Sequence, residues 1–151
     1  MGAITIVKEI KTIHPNYIII IKSGGFYRVY GKDAYILSNL FRYKLKEEKQ
    51  IFACGFPLKA INKVRAKLEN KKINYIVLDS KDNYSINNKI DFKNLNNYEI
   101  EYKNSKVYVN NQIRIEKINE FLIDNASKEN LKQILIEIEK IINAKGKIQS
   151  N

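Results

Sequence analysis

The sequence predicts an α/β protein: a small mixed β-sheet flanked by helices, followed by a C-terminal β-hairpin and further helices. Three observations carry this reading. Residues 17–22 form a near-continuous apolar run of strand length, the pattern of a strand buried on both faces. Residues 57–70 place Leu58, Ile61, Val64 and Leu68 on one helical stripe. Short β-prone runs alternate with helical ones between residues 17 and 78, in the order strand, strand, helix, strand, helix, strand.

Each element follows from local chemistry. Residues 4–8 are a short β-prone run. After the apolar strand, Ser23-Gly24-Gly25 is a turn, and Phe26-Tyr27-Arg28-Val29-Tyr30 is an aromatic-rich second strand. Gly31-Lys32-Asp33 turns again, with Asp33 expected to cap a helix over residues 34–41. Residues 51–55 read as a strand, Pro57 suits the first position of the next helix, and residues 73–78 read as a strand. The Asn-, Asp- and Lys-rich stretch 80–97 reads as a loop or linker. Alternation in 98–102 and 107–109 around Lys103-Asn104-Ser105-Lys106 reads as a hairpin. A helix is expected over 115–123. A last helix, capped by Ser127 and stopped by Gly146, carries Leu131, Ile134, Leu135, Ile138, Ile141 and Ile142 on one face. The expected organisation is therefore an α/β unit at 1–79, a linker at 80–97 and an appendage at 98–151.

Composition narrows the function classes. Apolar residues at 44% and charged residues at 28% exclude collagen-like and wholly disordered chains. One Cys and one His exclude an internal disulfide and a Cys/His zinc site, and Cys54 with His14 has no protease motif around it. No apolar run approaches the ~20 residues of a membrane span, and the first residues lack the pattern of a signal peptide, so the expectation is a cytoplasmic protein away from membranes. No cofactor or metal site is expected.

The net charge is +11, which points to an anionic partner. The excess is not uniform: residues 1–78 carry 15 Lys/Arg against 5 Asp/Glu, and residues 79–151 carry 12 against 11. A general lysine bias would not strip acids from one half alone. Only four cations are Arg, a balance that favours phosphate contacts over base reading. Lys59, Lys63, Arg65, Lys67, Lys71 and Lys72 cluster on and just after the 57–70 helix and are the candidate phosphate contacts, although they equally suit a solvated helix face. Six such contacts predict ~10³-fold weaker binding between 50 and 200 mM salt.

The segment from Ser23 to Ala34 is the most informative. It is not a phosphate-binding P-loop: five residues separate Gly25 from Gly31 instead of four, and Asp33 stands where Ser or Thr would hold magnesium. Glu99-Ile100-Glu101-Tyr102-Lys103, with Asp79 or Asp91, offers a rival reading: carboxylates on neighbouring strands holding Mg²⁺ in a nuclease.

The ordered pieces resemble the N-terminal mismatch-recognition domain, domain I, of the MutS family. That family has an apolar strand, Gly-Asp/Ser-Phe-Tyr-Glu, an aromatic-rich strand, and Gly-x-Asp-Ala opening a helix. A strand into Cys/Ala-Gly-Val/Ile-Pro, a helix and a closing strand follow. Here residues 17–22, Gly24-Gly25-Phe26-Tyr27-Arg28, Gly31-Lys32-Asp33-Ala34, Cys54-Gly55-Phe56-Pro57, a helix to Leu68 and residues 73–79 appear in that order. The likeness covers roughly residues 16–79 and includes none of the family's clamp, lever or ATPase.

The resemblance implies that Phe26 is a wedge that stacks into a duplex, replacing lost base stacking and holding a kink. Tyr27 or Tyr30 would join it as stacking platforms, with Arg28 and Lys32 anchoring base edges or phosphates. The same aromatics would otherwise be core residues. Position 28 is Arg where the family has Glu: a guanidinium only donates hydrogen bonds, so Arg28 suits phosphate, guanine edges or a stacking surface. The implied function is non-enzymatic binding of DNA, RNA or an RNA–DNA hybrid. Small proteins similar to MutS domain I also serve as accessories to reverse transcriptases in diversity-generating retroelements, which would supply a protein partner for the final helix. The alternative is an interaction adaptor, whose apolar stripe at 131–142 docks a partner helix or a second copy.

Overall fold

The computed structural model describes residues 2–146. In chain order the elements are α1 (Ala3–Ile13), β1 (Ile18–Ser23), β2 (Phe26–Tyr30), α2 (Lys32–Phe41), β3 (Lys46–Glu48), β4 (Ile51–Pro57), α3 (Ile61–Asn70), β5 (Tyr75–Asp79), β6 (Ser85–Ile90), α4 (Tyr98–Asp124) and α5 (Leu131–Lys145). The six strands form one sheet in the order β3-β4-β2-β1-β5-β6. β1 and β5 run parallel, joined through a crossover that includes α3, and the other neighbours are antiparallel. The mixed α/β sheet is the expected one. The chain divides into two compact units, 1–109 and 110–151, so it does not break at the expected 80–97 linker.

β1 is central, and Ile18, Ile19, Ile20 and Ile21 are fully buried, which explains the unbroken apolar run. Strand alternation sends Ile19, Ile21, Tyr30, Ala53, Ile76 and Leu78 to the face covered by Val7 and the apolar side of α1. Tyr27, Cys54, Phe56 and Tyr75 point to the opposite face. α3 lies there, since its Arg65 bonds Tyr75 and its Lys63 lies over Tyr43, which stacks on Phe56.

Five expectations are corrected. Residues 4–8 are helical, not β: Ala3, Ile6, Val7 and Ile10 follow i, i+3, i+4, i+7, and burial of that stripe outweighs the β preference of Ile and Val. The hairpin at 98–109 is the first half of α4, as is the helix expected at 115–123 its second half. Its buried positions Tyr98, Glu101, Ser105 and Val109 keep helical spacing, while Ile100 and Val107, which alternation would have buried, face solvent. The linker contains β6, and Asn96 and Asn97 within it, with Asn74 before β5, act as backbone surrogates. Asn74 Oδ1 accepts the Phe92 N–H (2.6 Å), Asn96 Oδ1 accepts the Asn74 N–H (2.9 Å), and Asn97 Nδ2 donates to the Lys71 carbonyl (2.9 Å). Finally, Pro57 ends β4, with a 3-10 turn before α3, and α5 starts at Leu131 after Asn130, not after Ser127.

Asp33 lies inside α2, whose N-cap is Gly31 at φ +61. Fully buried, it ties three helices to the sheet. Its Oδ2 accepts the Ile19 N–H (2.9 Å), and its Oδ1 accepts from Lys11 Nζ (2.6 Å) and the Tyr98 hydroxyl (2.5 Å). Burial pushes the Asp33 carboxyl up, against the opposing pull of the Lys11 charge and the three donors.

Candidate nucleic-acid interface

Ser23 and Phe26 are cross-strand partners, so Gly24 and Gly25 form a two-residue hairpin loop, with Gly24 at φ +62. That loop starts β2 at Phe26, at the sheet end where β4 runs out at Pro57, the other partner of Phe26. The phase of β2 then decides which side chains are free. Phe26 and Arg28 share the α1 face, but α1 covers only Tyr30 on this strand, and Phe26 keeps 55% of its surface exposed. Gly55, opposite Arg28, adds no side chain. A Cβ there would come within 3.0 Å of the Tyr27 carbonyl oxygen and 3.7 Å of Arg28 Cγ, so glycine permits the close strand pairing and keeps this floor open.

The hairpin of β3 and β4 builds the rest. A concavity of about 320 Å³ is lined by Phe26, Arg28, Lys44, Lys46, Glu48 and Gly55. The Arg28 guanidinium donates to the Glu48 carboxylate across the concavity, and both groups reach solvent. An aromatic face, two exposed lysines and a donor–acceptor pair thus share one small surface. Such a set can stack on a base, contact phosphate, and meet both donors and acceptors on a base edge.

The other expected residues are distributed differently. Tyr27 and Tyr30 are buried, so neither is a stacking platform. Tyr27 instead stacks on Phe56 (5.3 Å between centroids), and Phe56 on Tyr43 (5.6 Å), inside the sheet–helix layer. Tyr30 belongs to the core under α1. Lys32 lies one strand length away from Phe26, roughly 14 Å, with its ammonium 4.8 Å from the Tyr102 ring centroid, so it does not anchor beside the wedge position.

Of the cationic cluster, Lys59 sits in the 3-10 turn just past Pro57, on the Phe26 end of the sheet. Lys63 and Lys67 are exposed on α3, and Lys63 lies over the Phe41 and Tyr43 rings (5.6 and 5.7 Å). Arg65 is committed to the fold: its Nε donates to the Tyr75 hydroxyl (3.0 Å), which donates to Glu69 (3.2 Å). Lys71 pairs with Glu101 (3.8 Å). α3 spans about 15 Å and carries Lys71 and Lys72 to the opposite end of the sheet. The structure therefore gathers Phe26, Arg28 and Lys59, and separates them from Lys32, Lys71 and Lys72.

Lys44, Lys46 and Glu48 escaped the sequence reading. Only Tyr43-Lys44-Leu45-Lys46 alternates and Glu47 breaks the pattern, so the short edge strand shows itself through its pairing with β4. Its charges also protect the sheet edge.

The nuclease arrangement is not formed. Glu99 and Glu101 lie on α4 rather than on neighbouring strands, and Asp79 and Asp91 sit at opposite ends of the sheet. Among the described residues no group of three His, Cys, Asp or Glu is placed to hold a metal ion. Cys54 is buried, and burial together with the Asp33 charge pushes its thiol up to about 12, which removes it as a nucleophile. Among the same residues no helix is long and apolar enough to cross a membrane.

Comparison with known proteins agrees with this geometry. No curated protein matches the sequence. The family model for MutS domain I matches residues 1–116, which takes in the whole sheet, the Gly24-Gly25-Phe26 turn and the first part of α4. The chain belongs to the MutS domain I family.

Proposed function

We propose that this chain is a non-enzymatic nucleic-acid-binding protein that stacks Phe26 on a base while Arg28, Lys44, Lys46 and Lys59 contact the adjoining backbone. The observation that carries the reading is the exposed Phe26 ring. A strand that buries Tyr27, Val29 and Tyr30 leaves one large aromatic in water, beside cations, at the sheet end. Membership of a family of DNA mismatch-recognition domains supports the ligand class. So does the charge of the unit that holds the ring: residues 1–109 carry 20 Lys/Arg against 10 Asp/Glu.

The preferred ligand is a duplex that is already easy to open, because unstacking a step costs a few kcal/mol. Mismatched or bulged DNA and RNA–DNA hybrids meet that condition. The Arg28–Glu48 pair presents a donor and an acceptor beside the ring, so base-edge contact does not depend on a carboxylate at position 28. We place the protein as an accessory to a reverse transcriptase, such as that of a diversity-generating retroelement, a role that asks for nucleic-acid binding and no catalysis. Fluorescence polarisation with matched, mismatched, bulged, single-stranded and hybrid oligonucleotides tests the reading. Binding at least tenfold tighter to one of the destabilised duplexes or hybrids than to matched DNA supports it. Equal, millimolar-range binding to every oligonucleotide overturns it.

A further inference from the structure

The second unit carries an unmatched apolar surface of a different kind. Eight large apolar residues within 110–146 are exposed: Ile115, Ile118, Phe121 and Ile123 on α4, and Ile134, Leu135, Ile141 and Ile142 on α5. Residues 2–109, nearly three times as many, expose six. Seven of the eight are not scattered, Ile123 alone falling off the α4 stripe. On α5, Leu131, Ile134, Ile138 and Ile141 follow 3-4-3 spacing, with Leu135 and Ile142 widening the stripe by one position, which is the apolar face of a bundle helix rather than of a two-stranded coil. On α4, Ile115, Ile118 and Leu122 continue the same spacing, with Phe121 at its margin.

From this we infer that a second copy of this chain covers the stripe, pairing the α4–α5 segments of two chains into a helical bundle. Two quantities favour a second copy over other occupants. With exposures between 39% and 64%, the seven stripe residues leave on the order of 800 Å² uncovered, which is the area each partner contributes to a standard-size interface. The charge also fits self-pairing. Residues 110–146 carry six Lys/Arg and six Asp/Glu, so two copies meet without net repulsion, whereas residues 1–109 at net +10 repel their like. Within the unit, residues 110–124 are net −1 and residues 131–145 net +1, so α4 of one chain and α5 of the other attract weakly. A strongly charged partner, including nucleic acid, gains nothing from this neutral surface. The inference is independent of the role of Phe26.

Sedimentation equilibrium of the full chain from 1 to 200 µM is the test. The expected result is a concentration-dependent shift from 17.7 kDa towards twice that mass. The Ile134→Glu/Ile141→Glu variant should raise the dissociation constant at least 100-fold, and Gln133→Ala, on the polar side of α5 and without change of charge, should change it less than threefold. Far-UV circular dichroism checks that the helices persist. If the double variant loses them, Leu135→Ala/Ile142→Ala replaces it, with an expected increase of at least tenfold. A monomer at 200 µM overturns the inference and leaves the stripe to a different protein, and a dimer that persists in the folded stripe variants overturns its assignment to α5.

Discussion

Tyr98→Phe isolates one bond that joins α4 to the sheet unit. The Tyr98 hydroxyl donates to Asp33 Oδ1 at 2.5 Å, the ring is 1% exposed, and the substitution keeps the ring while deleting the donor. Hydrogen bonds to a buried charged group are worth about 1.5–3 kcal/mol. A domain of this size loses about 4 °C of melting temperature per kcal/mol, so the transition should fall by about 6–12 °C. The loss should depend on pH with a definite sign. It is largest where Asp33 is ionised and needs its donors. It shrinks as pH falls through the raised folded-state pKa of Asp33, because a protonated carboxyl no longer depends on the phenol. Lys11→Met, which strands the carboxylate without its ion-pair partner, should cost about 3–5 kcal/mol. Urea denaturation at pH 7 and pH 4, followed by circular dichroism, measures both. A Tyr98→Phe loss below 0.5 kcal/mol at pH 7, or a loss that grows on acidification, refutes the reasoning.

Three further outcomes follow from the geometry. Lys49 and Gln50 hold φ +48 and +67 between the paired residues Glu48 and Ile51, a turn that suits Asn-Gly, so Lys49→Asn/Gln50→Gly should stabilise by about 1 kcal/mol in urea denaturation; no change would remove the strain argument. Cys54, with its thiol near 12, should resist a thiol-reactive dye at pH 8 for hours in the folded protein and react within minutes in denaturant, and rapid labelling of the native state would contradict its burial. If Arg28, Lys44, Lys46 and Lys59 engage four phosphates of a duplex, affinity should fall about 10²-fold between 50 and 200 mM salt, less than the six-cation estimate because four contacts replace six; a flat salt response would rule out backbone contact.

The parts of the fold that were legible in the sequence are those where local pattern and tertiary burial agree. The isoleucine run of β1, the glycine turn before Phe26 and the apolar stripe of α3 are all of this kind. What was misread had local signals overruled by packing. Residues 98–109 alternate like a hairpin, but Tyr98 reaches Asp33 and Val109 is buried only if the segment is helical. The Asn-rich segment resembled a linker because nothing local reveals that Asn74, Asn96 and Asn97 bond backbone groups distant in sequence. The site divided in the same way. Phe26 and Arg28 were picked out by the ordered pieces that resemble MutS domain I, whereas Glu48, Lys44 and Lys46 come beside them only through the register of β3 on β4 and β4 on β2. Tyr27 and Tyr30 were indistinguishable from Phe26 by residue type. Strand phase and the reach of α1 separate them.

The most direct measurement is the affinity of Phe26→Ala for a mismatched duplex, by fluorescence polarisation at fixed salt, beside the unaltered protein. A single base–aromatic stack is worth about 1–3 kcal/mol, so the variant should bind about 5- to 150-fold more weakly while keeping its circular dichroism spectrum. Equal affinity of the two proteins for a duplex that both demonstrably bind would show that the exposed ring takes no part in recognition.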